Sequence, residues 1–108
     1  MSPSNVACLA LLQIDFPFSG PWGPALTDAM RELATDIANE EGLLWKIWTE
    51  NETTGRAGGI YLFSNPTSAA RYQLKHTARL QAFGIQDIAA HHFEVNEALS
   101  QLTRGPVP

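Results

Sequence analysis

The sequence predicts an α+β domain in which two helices cover one face of a four-stranded antiparallel sheet. Three observations carry that expectation. Apolar residues alternate with a period of two in four short stretches, they recur at helical spacing in two others, and the stretches succeed one another as βαββαβ. A chain of 108 residues has room for one core, and no repeat, linker or low-complexity tract divides it. Residues 1–108 therefore read as one domain, with a core from about 7 to 102 and a frayed tail over 103–108.

The first strand is ACLALLQIDF, residues 7–16, which places Cys8, Ala10, Leu12, Ile14 and Phe16 on one face and Leu9, Leu11, Gln13 and Asp15 on the other. PFSGPWGP then punctuates the chain. Leu26, Met30, Leu33 and Ile37 follow at helical spacing, with Pro24 in the first turn and Gly42 beyond the end. LLWKIWTE (43–50) and AGGIYLFS (57–64) resume the period of two on either side of the polar link NETTGR, which reads as a β-hairpin. Asn65 caps a second helix beginning at Pro66 and ended by Gly84, with room for a bend near His76 where the apolar spacing changes. DIAAHHFEV, residues 87–95, supplies the last strand. This order is the split βαβ pattern of ferredoxin-like domains.

Taking the wholly apolar face of the first strand as the one beneath the helices, the same logic assigns Leu43, Trp45, Ile47, Ile60 and Leu62 to that side. Leu44, Lys46, Trp48, Glu50, Tyr61 and Phe63 then point away from it, together with Gln13 and Asp15. So large an apolar face needs a cover, most simply a second copy of the chain, and two such sheets face to face would enclose a cavity for a small molecule. Gly58 and Gly59 would widen that cavity or admit a bulge.

Seven basic against eleven acidic residues give a formal charge of -4 with no basic run, which argues against nucleic acid and anionic membrane as partners. Cys8 is the only cysteine, so no intrachain disulfide is possible, and its apolar neighbours suit a small core residue. VACLALLQI lacks the basic residues of a signal sequence and is too short to span a bilayer; with a reduced thiol, this predicts a cytoplasmic protein.

His91 and His92 are strand neighbours on opposite faces and cannot readily share an ion, so no metal is expected. By parity with Ile88 and Ala90, His92 is the expected cavity residue. Trp48, Tyr61 and Phe63 suit stacking on a planar ligand. Gln13, Asp15, Lys46 and Glu50 offer it hydrogen bonds, or Lys46 and Glu50 pair with Asp15 instead. Trp22 closes one end of the pocket or anchors its loop. AGGIY lies inside a strand, so it is no phosphate-cradling loop, and no serine sits in a nucleophile elbow.

The stretches LLQIDFPFSGPWG, GLLWKIWTE, AGGIYLF, KHTARL and FEVNEALSQ closely resemble the YdhR-like monooxygenases of the dimeric α+β barrel superfamily, over residues 8 to 102. The resemblance implies a homodimer of ferredoxin-like subunits, a pocket between sheet and helices, and a C-terminal segment, EALSQL, that reaches the partner. It also implies oxidation of a small aromatic, such as a phenol, hydroquinone or anthrone-like compound, by O2 with no metal, flavin or nicotinamide. In related barrels an aromatic near the end of the third strand and a histidine on the next helix lie beside the substrate; Phe63 and His76 occupy those places here, with Phe where the superfamily often has Trp. His76 would then take a phenolic proton. Its other reading is a surface or helix-capping histidine beside Lys75 and one turn before Arg79. Two alternatives stand beside the oxygenase: a non-catalytic or stress-related dimer that holds an apolar metabolite in the same pocket, and a haem-degrading protein, which needs a histidine placed to ligate iron.

Overall fold

A computed structural model describes residues 8–108 of the chain. Its elements are β1 (Ala10–Pro17), α1 (Gly23–Ala38), β2 (Leu43–Asn51), β3 (Arg56–Phe63), α2 (Pro66–Ala82), β4 (Ala89–Glu94) and α3 (Glu97–Leu102). The sheet order is β2-β3-β1-β4 with every pair antiparallel, the expected ferredoxin-like α+β arrangement. Ala7, read as the first residue of the opening strand, lies outside the described residues.

Helix boundaries follow from local chemistry. The Asn65 side chain accepts a 2.8 Å hydrogen bond from the Ser68 amide, and Pro66 occupies the first turn of α2, where its missing N–H costs nothing. α2 then runs as one helix past His76. The N-terminus of α1 has no cap from its own sequence. Glu50 of β2 instead accepts a 2.8 Å hydrogen bond from the Gly23 amide, which puts a carboxylate at the positive end of the helix.

Both helices pack on the same sheet face. Ile37 of α1 and Ala69, Tyr72 and Leu80 of α2 share a core with Leu12, Ile14 and Phe16 of β1. The residues of β3 in that core are Ala57, Tyr61 and Phe63, which reverses the expected facing of this strand. Cross-strand partners point to the same side, and Tyr61 pairs with Leu12, Phe63 with Ala10 and Lys46 with Tyr61. Lys46 and Trp48 therefore lie beneath the helices, whereas Trp45, Ile47, Ile60 and Leu62 face away. Two physical causes explain the reversal. A register shift between Leu43 and Trp45 breaks the alternation that β2 was counted from, so Leu43 keeps the helix side while Trp45 leaves it. β3, moreover, is apolar on both faces, which leaves its pleat without a marked side.

The far face of the sheet is partly covered by the chain's own end. The Trp45 indole donates a 2.9 Å hydrogen bond to the Pro106 carbonyl, and Gln101 Nε2 donates to the Pro108 carbonyl at 3.2 Å, so residues 103–108 fold back rather than fray. Ile47 and Phe93 stay about half exposed on that face, and α3 presents Leu99 and Leu102 to the outside. Cys8 is exposed and takes no place in the core. Among the described residues no helix is long and apolar enough to cross a membrane.

Candidate active site

A cavity of about 340 Å3 lies between the sheet and the two helices, within the usual range for small-molecule sites. Its floor is Ala57, Gly58, Lys46, Trp48 and Tyr61 from β2 and β3, and its roof comes from Leu26, Met30 and Leu33 of α1 and His76 and Leu80 of α2. Phe16 and Phe18, ring centroids 6.0 Å apart and edge to face, close one end together with Gly20 and Pro21. Trp22 packs edge-on against Phe18 at 5.4 Å, so it anchors the loop behind this wall.

Lys46 is brought into this apolar space by a missing side chain. A Cβ on Gly59 would stand 2.6 Å from Lys46 Cε, so the bare glycine leaves the lysine stem room to lie where it does. Its Nζ rests 3.3 Å from the centroid of the Trp48 ring and 4.7 Å from that of Tyr61. No carboxylate lines the cavity, and Lys46 forms no ion pair among the described residues. Desolvation, helped by the nearby Arg79 guanidinium, pulls the Lys46 ammonium down to about 7.

His76 is held differently. It is 3 % exposed, stacks on Tyr72 at 5.0 Å and meets Tyr61 edge-on at 6.3 Å. Arg79 Nε and Nη2 lie 3.3 and 3.0 Å from His76 Nδ1, while Arg79 Nη1 donates to Asp36 Oδ2 on α1 at 2.7 Å. A guanidinium has donors only, so Nδ1 must accept and the ring proton sits on Nε2. Burial, then the positive charges of Lys46, Arg79 and Lys75, lower the imidazole to about 3, which keeps it neutral near pH 7. A neutral Nε2–H with its other nitrogen engaged is a hydrogen-bond donor.

The two tyrosines complete a neutral polar cluster. Tyr72 donates to the Tyr61 hydroxyl at 3.3 Å, and burial pushes the Tyr61 phenol up to about 12 and raises Tyr72 as well. The cavity thus pairs aromatic walls with three neighbouring polar groups, Lys46 and Tyr61 from the floor and His76 from the roof.

Of the residues singled out in the sequence, Lys46, Trp48, Gly58, Tyr61 and His76 line this one cavity. Phe63 is fully buried with its ring stacked 6.2 Å from Tyr61, behind the lining. Gln13 and Asp15 lie on the opposite sheet face, where Asp15 accepts a hydrogen bond from Arg56 Nε at 3.0 Å instead of meeting Lys46 or Glu50. His92 pairs with Leu12 on the helix side, but on an edge strand, and it is exposed outside the lining. Lys46 was counted as a polar group of the wrong face, and Arg79 as a mere neighbour of His76. The signal for Lys46 was its place within WKIW, a charge inside an aromatic strand.

No curated protein matches the chain. A family model described as "Putative mono-oxygenase ydhR" matches residues 11–106, which takes in every strand but the first residue of β1, both long helices and all three polar groups of the cavity. The chain therefore belongs to the YdhR mono-oxygenase family.

Proposed function

We propose that the cavity takes a small electron-rich aromatic molecule, a phenol, hydroquinone or anthrone-like compound, and that the protein oxidises it with O2 and no protein-bound cofactor. The single observation that carries this reading is the cavity itself: aromatic walls for a planar ring, and neighbouring polar groups to orient an oxygen substituent. His76 serves as the Nε2–H donor to that oxygen. For an anthrone-like substrate the reaction balances without an outside reductant: the two C–H bonds of a CH2 group are replaced by C=O, one oxygen atom of O2 is retained and the other leaves as water. The deprotonated substrate is the electron-rich form that reacts.

The exposed apolar side chains of Ile47, Phe93, Leu99 and Leu102 support a homodimer; the cytoplasm is its proposed compartment. Oxygen uptake over a panel of phenols, hydroquinones and anthrones, in metal-free buffer without added cofactor, tests the activity. Enzyme-dependent uptake with one 18O atom retained in the product is the expected result. Saturable quenching of Trp48 fluorescence with no uptake across the panel would show a binding protein instead, the alternative that the same cavity supports.

A further inference from the structure

Lys46 is the feature of the cavity that the proposed oxidation leaves unused. A lysine amine enclosed by Trp48, Tyr61 and apolar side chains, with no carboxylate in the lining, lacks an anionic partner from the protein itself. Even a partly buried cation of this kind is costly unless something pairs with it. The groups around it reinforce the point. β3 contributes the neutral Tyr61 phenol; α2 contributes neutral His76 and the Arg79 cation; α1 contributes apolar side chains and Asp36, which Arg79 already binds. Glu50, on the same strand, is taken by the Gly23 amide.

We propose that the cavity selects ligands bearing an acidic O–H, a phenol or an enol, and that Lys46 is the catalytic residue that removes this proton. The inference rests on the cavity being the substrate site. The neutral amine accepts the proton at Nζ: the ligand O–H bond breaks with its electron pair left on oxygen, an N–H bond forms, and an ammonium–aryloxide pair replaces two neutral groups. Net charge is unchanged, no co-reactant is consumed, and the ammonium gains the counter-charge that the lining withholds. His76 Nε2–H adds a hydrogen bond to the same oxygen and leaves the proton to Lys46. The amine that the surroundings bring to about 7 is divided between its two forms at neutral pH, as a proton acceptor requires.

Titrating the full-length protein with 4-nitrophenol and with its methyl ether, 4-nitroanisole, from pH 5 to 8 tests this without requiring turnover. The nitrophenolate absorbance reports directly whether the bound probe is ionised. In wild type the bound phenol should ionise at least about one pH unit below the free compound, a tenfold preference for the anion. Lys46→Met should abolish that shift and keep its affinity for the ether, which also shows that the variant is folded. His76→Gln should weaken binding and retain the shift. An unchanged shift in Lys46→Met, or a wild type that binds phenol and ether alike with no ionisation, overturns the role of Lys46 while the cavity stands. Failure of both probes to bind the wild type overturns the cavity as the site, and the inference with it.

Discussion

Replacing Lys46 by methionine should make the protein more stable at neutral pH while removing the group assigned to proton transfer. In the unfolded chain a lysine stays charged up to its ordinary 10.5, whereas in the fold burial brings it to about 7. Folding must therefore release a proton or bury a charge, and at 1.36 kcal/mol per pH unit a gap of that size sets an upper bound of roughly 5 kcal/mol. Lys46 is only partly buried, and its contact with Trp48 returns about 1 kcal/mol, so the net gain on substitution is about 2 kcal/mol. The sign of the pH dependence follows from the direction of the shift. The folded state binds fewer protons between pH 7 and 10.5, so wild-type stability rises across that window, and the full penalty applies below it. Urea unfolding of both proteins at several pH values provides the assay. Lys46→Met should exceed wild type by about 2 kcal/mol at pH 7, and the difference should shrink steadily toward pH 10. A destabilised variant, or a difference that does not change with pH, would refute the claim that this amine is a strained, unpaired group.

Three other outcomes follow from the same geometry. His76 stays neutral in the fold down to about 3, against an ordinary 6.5, so stability should fall at up to about 1 kcal/mol per pH unit as pH drops from 6.5 toward 3, and His76→Gln should flatten that slope in acid-unfolding curves. Gly59→Ala places a methyl 2.6 Å from Lys46 Cε; it should displace the amine and lower phenolate affinity about tenfold with the circular dichroism spectrum unchanged. Ile47→Asp with Phe93→Asp should convert a dimer to monomers in sedimentation velocity, whereas a wild type that is monomeric at micromolar concentration would contradict the proposed assembly.

The order of elements was readable because Pro and Gly mark its joints: Pro24, Pro66 and Gly84 bound the two long helices where they were expected. The facing of the strands was less readable. In β3 every side chain from Ile60 to Phe63 is aliphatic or aromatic, so a period of two identifies a strand and leaves its two faces equivalent. The irregularity at Leu43 and Trp45 then shifts the count in β2, and no residue type announces it. Counting in twos from Leu43 puts Lys46 on the face away from the helices, although its aliphatic stem is suited to lie across the aromatic rings on the other side. The position of His76 came from its resemblance to related barrels. Its neutrality depends first on burial and then on the charges of Lys46, Arg79 and Lys75; Arg79, three residues on and thus on the same helical face, meets Nδ1 while paired with Asp36 of another helix, a contact that only the tertiary fold creates.

The central claim is that the site lies under the helices and not on the open face of the sheet. Amide and indole NMR shifts during titration with an electron-rich phenol test it most directly, because each face carries its own tryptophan. The Trp48 indole, the Gly58 and Gly59 amides and the His76 Nε2–H should move together, while the Trp45 indole, held by the Pro106 carbonyl, stays in place. Shifts centred on Trp45, Gln13 and Phe93 with Trp48 unmoved would contradict it.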